Sequence, residues 1–382
     1  MSLDRRTITI FGGYAVAFGL VFLAQLLELP PLVRFGVAVV GLAGGAIAVG
    51  EATERLAERL SPAATGVVQS VLGNLPELFL SIFALQAGLP QVVAAALVGS
   101  VLGNALFVLG LALIVGGLRH GTLRFSKATN RLYATILLLG VAALLVPFLA
   151  TQPGAPDFGH DRELSAFVAI VLLVVFGASV PISIRLASTG LGAKVESAAL
   201  EAPEGPVGPE AGQAERGPRH EPRHGLVPTL VLLAVSAGSA AFVAEWFVGA
   251  LQPAMGAIGM SEAFAGLIVV ALAGNAVENL SGITAASRGR GDLALSLILN
   301  SALQVVLFLV PVIVLLSFFV APTPLTLIFD PLLLGSLTVT ALLVFAIVLD
   351  GEANALEGLM LLGLYLILGA AVWWGPAIGA PG

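Results

Sequence analysis

The chain has 382 residues, of which 58% are apolar and only 10% charged, with a mean hydropathy of +1.03. Soluble domains carry about 25% charged residues, so this composition cannot cover a water-exposed surface and excludes a soluble enzyme. Cysteine is absent and the net charge is −6, which removes disulfides, thiolate sites and cysteine nucleophiles and gives no basis for nucleic-acid binding.

Apolar runs long enough to cross a bilayer, about 20 residues each, predict an all-α polytopic membrane protein with about eleven transmembrane helices. The first run, about 8–27, follows Arg5 and Arg6 and lacks a suitably placed small-residue cleavage site. It is therefore expected to be a retained extra helix, within 1–30, and not a signal peptide. Five runs follow within 31–188, at about 32–57, 63–87, 91–116, 129–150 and 163–188. Residues 189–225 are polar and rich in Glu and Pro, with few large apolar side chains, and read as a cytoplasmic linker. Five more runs complete 226–382, at about 226–250, 262–287, 291–319, 327–349 and 356–375.

Basic residues favour the cytoplasmic side. With the N-terminus inside and eleven spans, only Arg34 and Arg162 of the 17 Lys and Arg fall outside. The C-terminus is then outside. His120, His160, His220 and His224 all lie in polar stretches, away from the membrane interior.

Two segments repeat. Gly73-Asn74-Leu75-Pro76-Glu77 is followed by Gly99-Ser100 and Asn104, and Gly274-Asn275-Ala276-Val277-Glu278 by Asn300-Ser301 and Gln304. The separation from glutamate to serine, Glu77 to Ser100 and Glu278 to Ser301, is 23 residues in both copies. Upstream, Thr53-Glu54 resembles Ala244-Glu245, with a longer connection in the second copy. The units are thus 31–188 and 226–382, each with five spans. An odd number of spans inverts the second copy, the architecture of secondary transporters with a site at the midplane.

Ionised carboxylates inside a bilayer are expensive and mark function. Glu77 and Glu278 sit deep within their runs, with no Lys or Arg at that depth to pair with, so a bound cation or a proton is the expected counter-charge. Gly73 and Gly274 weaken the helix at the motif and point to unwound backbone offering carbonyl oxygens. Asn74 and Asn275 precede the glutamates by three residues and share their helical face. Ser100 with Asn104, and Ser301 with Gln304, pair on faces of the next helices. Carboxylates, amides, hydroxyls and carbonyls make a hard all-oxygen site suited to Ca²⁺, with Mn²⁺ also acceptable. Gly99, Gly110 and Gly282 are read first as close-packing positions. Glu54 and Glu245 are weaker candidates for an access path; Glu54 also stands beside Arg55, Glu58 and Arg59, as a surface ion pair would. Asp350, Glu352 and Glu357 are expected to be solvated in an inner loop.

These residues resemble the cation/proton exchanger branch of the calcium/cation antiporter superfamily. The resemblance is carried by Gly73-Asn74-x-x-Glu77-Leu78 with Ser81, by Gly99-Ser100-x-x-x-Asn104 with Val108-Leu109-Gly110, and by Gly274-Asn275-Ala276-x-Glu278. It continues through Ser301-Ala302-Leu303-Gln304 with Pro311, and Asp350-Gly351-Glu352 with Leu356-Glu357-Gly358. Leu75-Pro76, Asn279 and Asn300 depart from the pattern. The resemblance implies that Glu77 and Glu278 are the paired Ca²⁺- and proton-carrying carboxylates. Asn74, Asn275, Ser100, Ser301 and Gln304 would be the surrounding polar ligands.

The expectation is Ca²⁺/H⁺ antiport by alternating access in a prokaryotic cell membrane. Ca²⁺ and H⁺ are the transported partners, there is no resident cofactor, and a homo-oligomer is compatible with the sequence. Na⁺/Ca²⁺ exchange is the alternative. A sodium-coupled site calls for further oxygens, yet the position matching Asn104 is the apolar Val305. A cation channel is the third reading, disfavoured by the inverted repeat.

Overall fold

The computed structural model describes residues 5–60, 62–155, 159–188 and 225–374, so most of the 189–225 linker lies outside the described residues. The chain is helical almost throughout. The first half consists of α1 (Arg5–Leu26), α2 (Pro31–Ala57), α3 (Pro62–Leu72), α4 (Leu75–Gln86), α5 (Pro90–His120), α6 (Lys127–Ala150) and α7 (Asp161–Ser188). The second half consists of α8 (Leu226–Ile258), α9 (Glu262–Gly274), α10 (Ala276–Ser287), α11 (Gly291–Val320), α12 (Pro331–Val348) and α13 (Ala355–Trp373). Two three-residue strands, β1 (Thr122–Arg124) and β2 (Glu352–Asn354), pair antiparallel.

Among the described residues nine helices are long and apolar enough to span a bilayer, and α9–α10 form a tenth path bent by 66°. The remaining expected span, 63–87, is also broken, into α3 and α4. The protein is therefore a polytopic all-α membrane protein, and two of its expected straight spans are half-helix pairs. The seventh expected span, ending near 250, runs on through Pro253 to Ile258. A proline removes one backbone bond without stopping this helix; the stop is Gly259, at a left-handed φ of 67° that glycine adopts without steric cost.

Helix ends sort into two groups. Arg6 at the start of α1 reaches Glu51 and Glu54 near the end of α2. The α5 end meets the α10 end through Arg119 and His120 at the Ser287 carbonyl, and β1 of the α5–α6 loop pairs with β2 of the α12–α13 loop. These are the ends that the basic residues assign to one side of the membrane. On the opposite side, Ser261 at the head of α9 donates to Val372 O at the foot of α13. The Leu327 amide there donates to Ser165 of α7.

Small residues let the helices approach. A Cβ at Gly99 of α5 would lie 2.5 Å from the Leu267 Cα and carbonyl oxygen of α9, and one at Gly266 only 2.4 Å from Val92 O. Gly110 and Gly358 face each other across α5 and α13, and Gly282 packs on Ile298. With little hydrophobic force between helices in lipid, such backbone contacts supply the association.

Candidate functional site

Two breaks in the helices build the site. Between α3 and α4 the chain turns at Gly73 and Asn74, where a Cβ on Gly73 would lie 2.5 Å from Gln69 O. Pro76 falls in the first turn of α4, where its missing N–H sacrifices no helical bond. Between α9 and α10 the turn is Asn275, with φ −92° and ψ 26°, close to the φ −91° and ψ 10° of Asn74.

Gly274, expected to be unwound, is instead the last residue of α9. The need for glycine there is tertiary. A Cβ would lie 2.9 Å from Glu77 Oε1, 3.0 Å from its Cγ and 3.1 Å from its Cδ. The carboxylate of the first motif thus rests on the backbone of the second.

Both asparagines fold back on the half-helix they end. Asn74 Nδ2 donates to Ser70 O at 2.7 Å and Asn275 Nδ2 to Ala271 O at 2.9 Å, which satisfies carbonyls left open at a helix C-terminus. Asn275 Nδ2 also reaches Ser100 Oγ at 3.0 Å. Asn104 Nδ2 donates to Ser100 O at 2.9 Å, to Ser301 Oγ at 3.2 Å and, longer, to Asn275 Oδ1 at 3.5 Å. Four of the expected residues, Ser100, Asn104, Asn275 and Ser301, therefore form one buried network joining the two halves. Gln304 is half-buried and stands outside this network.

Glu77 is only 7% exposed and its Oε2 is buried without a hydrogen-bond partner, whereas Glu278 is half-buried. No ion pair among the described residues includes either glutamate. Each glutamate lies in the first turn of its half-helix, α4 or α10, where the positive end of the helix dipole favours negative charge. The C-terminal ends of α3 and α9 bring carbonyl oxygens, the complementary polarity, to the same two breaks. Among the described residues no three His, Asp or Glu side chains cluster where they could hold a metal ion.

Glu54 and Glu245 are not brought to this centre. Glu54 is exposed and lies 3.5 Å from Arg6, not paired with Arg55. Arg55 instead pairs with the buried Glu51 one turn earlier, at 3.1 Å, and also donates to Thr7. Glu245 is exposed on α8, while its neighbours Val243 and Phe247 pack inward against Gly41 and Phe35 of α2. In the α12–α13 loop, Glu352 pairs with Arg124 at 3.6 Å and Glu357 closes a capping box with Asn354.

Residues 31–185 and 228–374 match the model of the family described as "Sodium/calcium exchanger protein". The chain belongs to this family. It is 35% identical to the "Ca(2+)/H(+) antiporter" of Synechocystis sp. over 349 residues, covering 90% of each chain. It is 32% identical to the "Ca(2+)/H(+) antiporter ChaA" of Bacillus subtilis over 347 residues, covering 91% of this chain and 93% of that one. Among solved structures, native YfkE superposes with a TM-score of 0.77 at 28% identity, over 95% of this chain and 99% of YfkE. Membership makes the protein a transporter, not an enzyme.

Sequence reasoning missed three features. Glu51 was masked by the charge-rich 51–59 stretch, in which only packing tells which acid turns inward. The α5 turn Gly103–Val108, which carries Asn104, is π-helical, as is Val305–Leu309 after Gln304. Neither widened turn leaves a composition signal, but both follow their motif glutamates by a near-equal spacing. Asn279, beside Glu278, buries an amide oxygen with no hydrogen-bond partner.

Proposed function

We propose that the protein exchanges Ca²⁺ for H⁺ across a prokaryotic cell membrane by alternating access, with Glu77 and Glu278 as the groups that hold either the ion or the protons. The observation that carries this reading is the seat of Glu77 on Gly274, which places the carboxylate of one motif on the break of the other. Ionised, the pair neutralises one Ca²⁺, and nearby amide, hydroxyl and carbonyl oxygens complete a flexible oxygen shell. Protonated, the pair releases the ion and the site closes without net charge. A half-filled site would carry an uncompensated charge into low dielectric, and that cost couples the two fluxes. Mn²⁺ is the next ion this donor set accepts.

The two halves, 31–188 and 226–382, are read as inverted repeats following the extra N-terminal helix 1–30. Matching asparagine turns, matching back-bonds to Ser70 and Ala271, and matching π-helical turns support that division. The side holding Arg6, Arg119, Arg124 and Arg288 is taken as cytoplasmic, which places the N-terminus and the 189–225 linker inside and the C-terminus outside.

The test is radiolabelled Ca²⁺ uptake by reconstituted protein, driven by a pH gradient or, with pH clamped, by a Na⁺ gradient. The pH gradient is expected to drive uptake and the Na⁺ gradient not to. Glu77→Gln and Glu278→Gln are each expected to abolish exchange. Uptake driven by Na⁺ alone would install the Na⁺/Ca²⁺ reading, and full exchange in either glutamine variant would overturn the carboxylate assignment.

A further inference from the structure

A second, shorter repeat stands in the loops that join the third and fourth spans of each half. Thr122-Leu123-Arg124-Phe125-Ser126 leads into α6 and Thr326-Leu327-Ile328-Phe329-Asp330 into α12. In both, the leucine and phenylalanine are buried, the residues between them are more exposed, and the last residue N-caps the helix that follows. Alternate burial makes each an extended strap pressed into the core, where an ordinary loop would run over the surface. The two lie on opposite faces of the membrane, and each fastens its own half of the molecule to the other.

The fastenings differ. The first strap contains β1 and pairs with β2 along three residues. Its Phe125 amide donates to Gly351 O at 2.9 Å and its Ser126 amide to Asp292. The second strap, 325–329, hangs on two fully buried serine hydroxyls. Leu325 N donates to Ser317 Oγ of α11 at 2.8 Å, within its own half, and Leu327 N to Ser165 Oγ of α7 at 2.9 Å. Among the described residues the bond to Ser165 is the one hydrogen bond of this strap that crosses between the halves. Ser317 and Ser165 give their own protons to Val314 O and Asp161 O, so both hydroxyls stand fixed as acceptors for the strap.

The seam that the second strap closes borders the break at Glu77. α7 packs against α3, the outer part of α11 packs against α4, and α7 and α11 pack on each other; Glu77 lies in the first turn of α4. Undocking costs little. One neutral hydrogen bond shifts an equilibrium about fivefold, and Leu325, Leu327 and Phe329 would leave the core for lipid that is equally apolar.

We propose that strap 325–329 is a latch on the face opposite Arg119 and Arg288. It releases from Ser165 each time the site opens to that face, while the β1–β2 lacing on the other face stays tied. This inference rests on the alternating-access reading above and adds to it a named moving part.

The chain has no cysteine, so cysteine pairs introduced into the full-length protein can be joined in vesicles by a short, cleavable bis-thiol reagent. Ca²⁺/Ca²⁺ counterflow is the readout, because it requires opening to both faces but no proton coupling. Joining Ser165→Cys to Leu327→Cys is expected to slow counterflow about tenfold or more, with recovery on cleavage. Joining Arg124→Cys to Glu352→Cys, partners in the β1–β2 register, is expected to leave it within about twofold of the unlinked rate. Counterflow that survives the first link, or that falls equally with both, overturns the proposal. Should the first pair not fold, Ser165→Ala decides. Removing the acceptor is expected to raise the population open to the latch face and lower the KM for Ca²⁺ there about fivefold, with the KM on the opposite face within about twofold. A serine that only supports the fold would leave both KM values alone, and that result overturns the proposal. Counterflow without pH-driven exchange in the unmodified protein would instead overturn the Ca²⁺/H⁺ coupling, and the effect of the link would still be read.

Discussion

Replacing Gly274 by alanine separates a tertiary role for this glycine from a local one. In the middle of a helix, Gly→Ala gains about 1 kcal/mol of helix propensity, and at Gly274, the last residue of α9, it gains less. The added methyl would, however, sit 2.9 Å from Glu77 Oε1 and 3.0–3.1 Å from its Cγ and Cδ. Ordinary contact lies near 3.5 Å, so the carboxylate must retreat by about half an ångström. Overpacking of this kind costs about 1–3 kcal/mol, which the gain in propensity partly offsets, so the variant is expected to fold with a melting temperature close to that of the parent. Function responds more sharply, because a misplacement of about 1 Å at a reacting centre costs about a hundredfold. A shift half that size is expected to reduce pH-driven Ca²⁺ uptake about tenfold. Gly256→Ala, on α8 with no atom within 4 Å of its Cβ position, is the control and is expected to transport normally. Gly274→Ala with unaltered KM and maximal rate would falsify the claim that the Glu77 carboxylate is seated on this backbone during transport.

Asn275→Ala removes donors to Ala271 O and Ser100 Oγ and is expected to cost about 1–3 kcal/mol in thermal unfolding; Ser100→Ala, which leaves the Asn275–Ala271 bond intact, should cost less. Gly110→Ala drives a methyl to 2.8 Å from Gly358 O; a drop in melting temperature matching about 1–3 kcal/mol is expected, and an unchanged melt would contradict the tight α5–α13 crossing. Arg55→Ala strips the buried Glu51 of its 3.1 Å partner and leaves it only the exposed Arg6, so a loss of about 3 kcal/mol is expected, while Glu54→Ala, at an exposed pair, should change stability by less than about 1 kcal/mol. Because Ca²⁺ and protons compete for the same two carboxylates, the apparent KM for Ca²⁺ should rise as the pH of the Ca²⁺-loading side falls; a pH-independent KM would show that the proton is carried elsewhere.

The membrane class and the sorting of helix ends into two groups were legible in the sequence, because lipid imposes long apolar runs and the basic residues gather at the ends of one group. The motif copies were legible too, through the equal 23-residue spacing from Glu77 to Ser100 and from Glu278 to Ser301. The acid near α2 that turns inward was not. Glu51 and Glu54 are three residues apart on one helix, and only the packing of α1 against α2 buries one and exposes the other.

The sequence by itself determined that two glutamates fall inside long apolar segments without basic partners nearby in the chain, each after a Gly-Asn pair, since charge is too scarce here for the exceptions to hide. It also determined that the Gly-Asn pairs would weaken their helices, because glycine costs a helix backbone entropy whatever surrounds it. Tertiary structure decided where each helix actually breaks and why each glycine is needed. Gly73 is required by its own chain's path past Gln69, and Gly274 by a carboxylate from the other half of the molecule. That distinction depends on contacts between residues about two hundred positions apart, which local propensity does not encode and only the packing of the two halves creates.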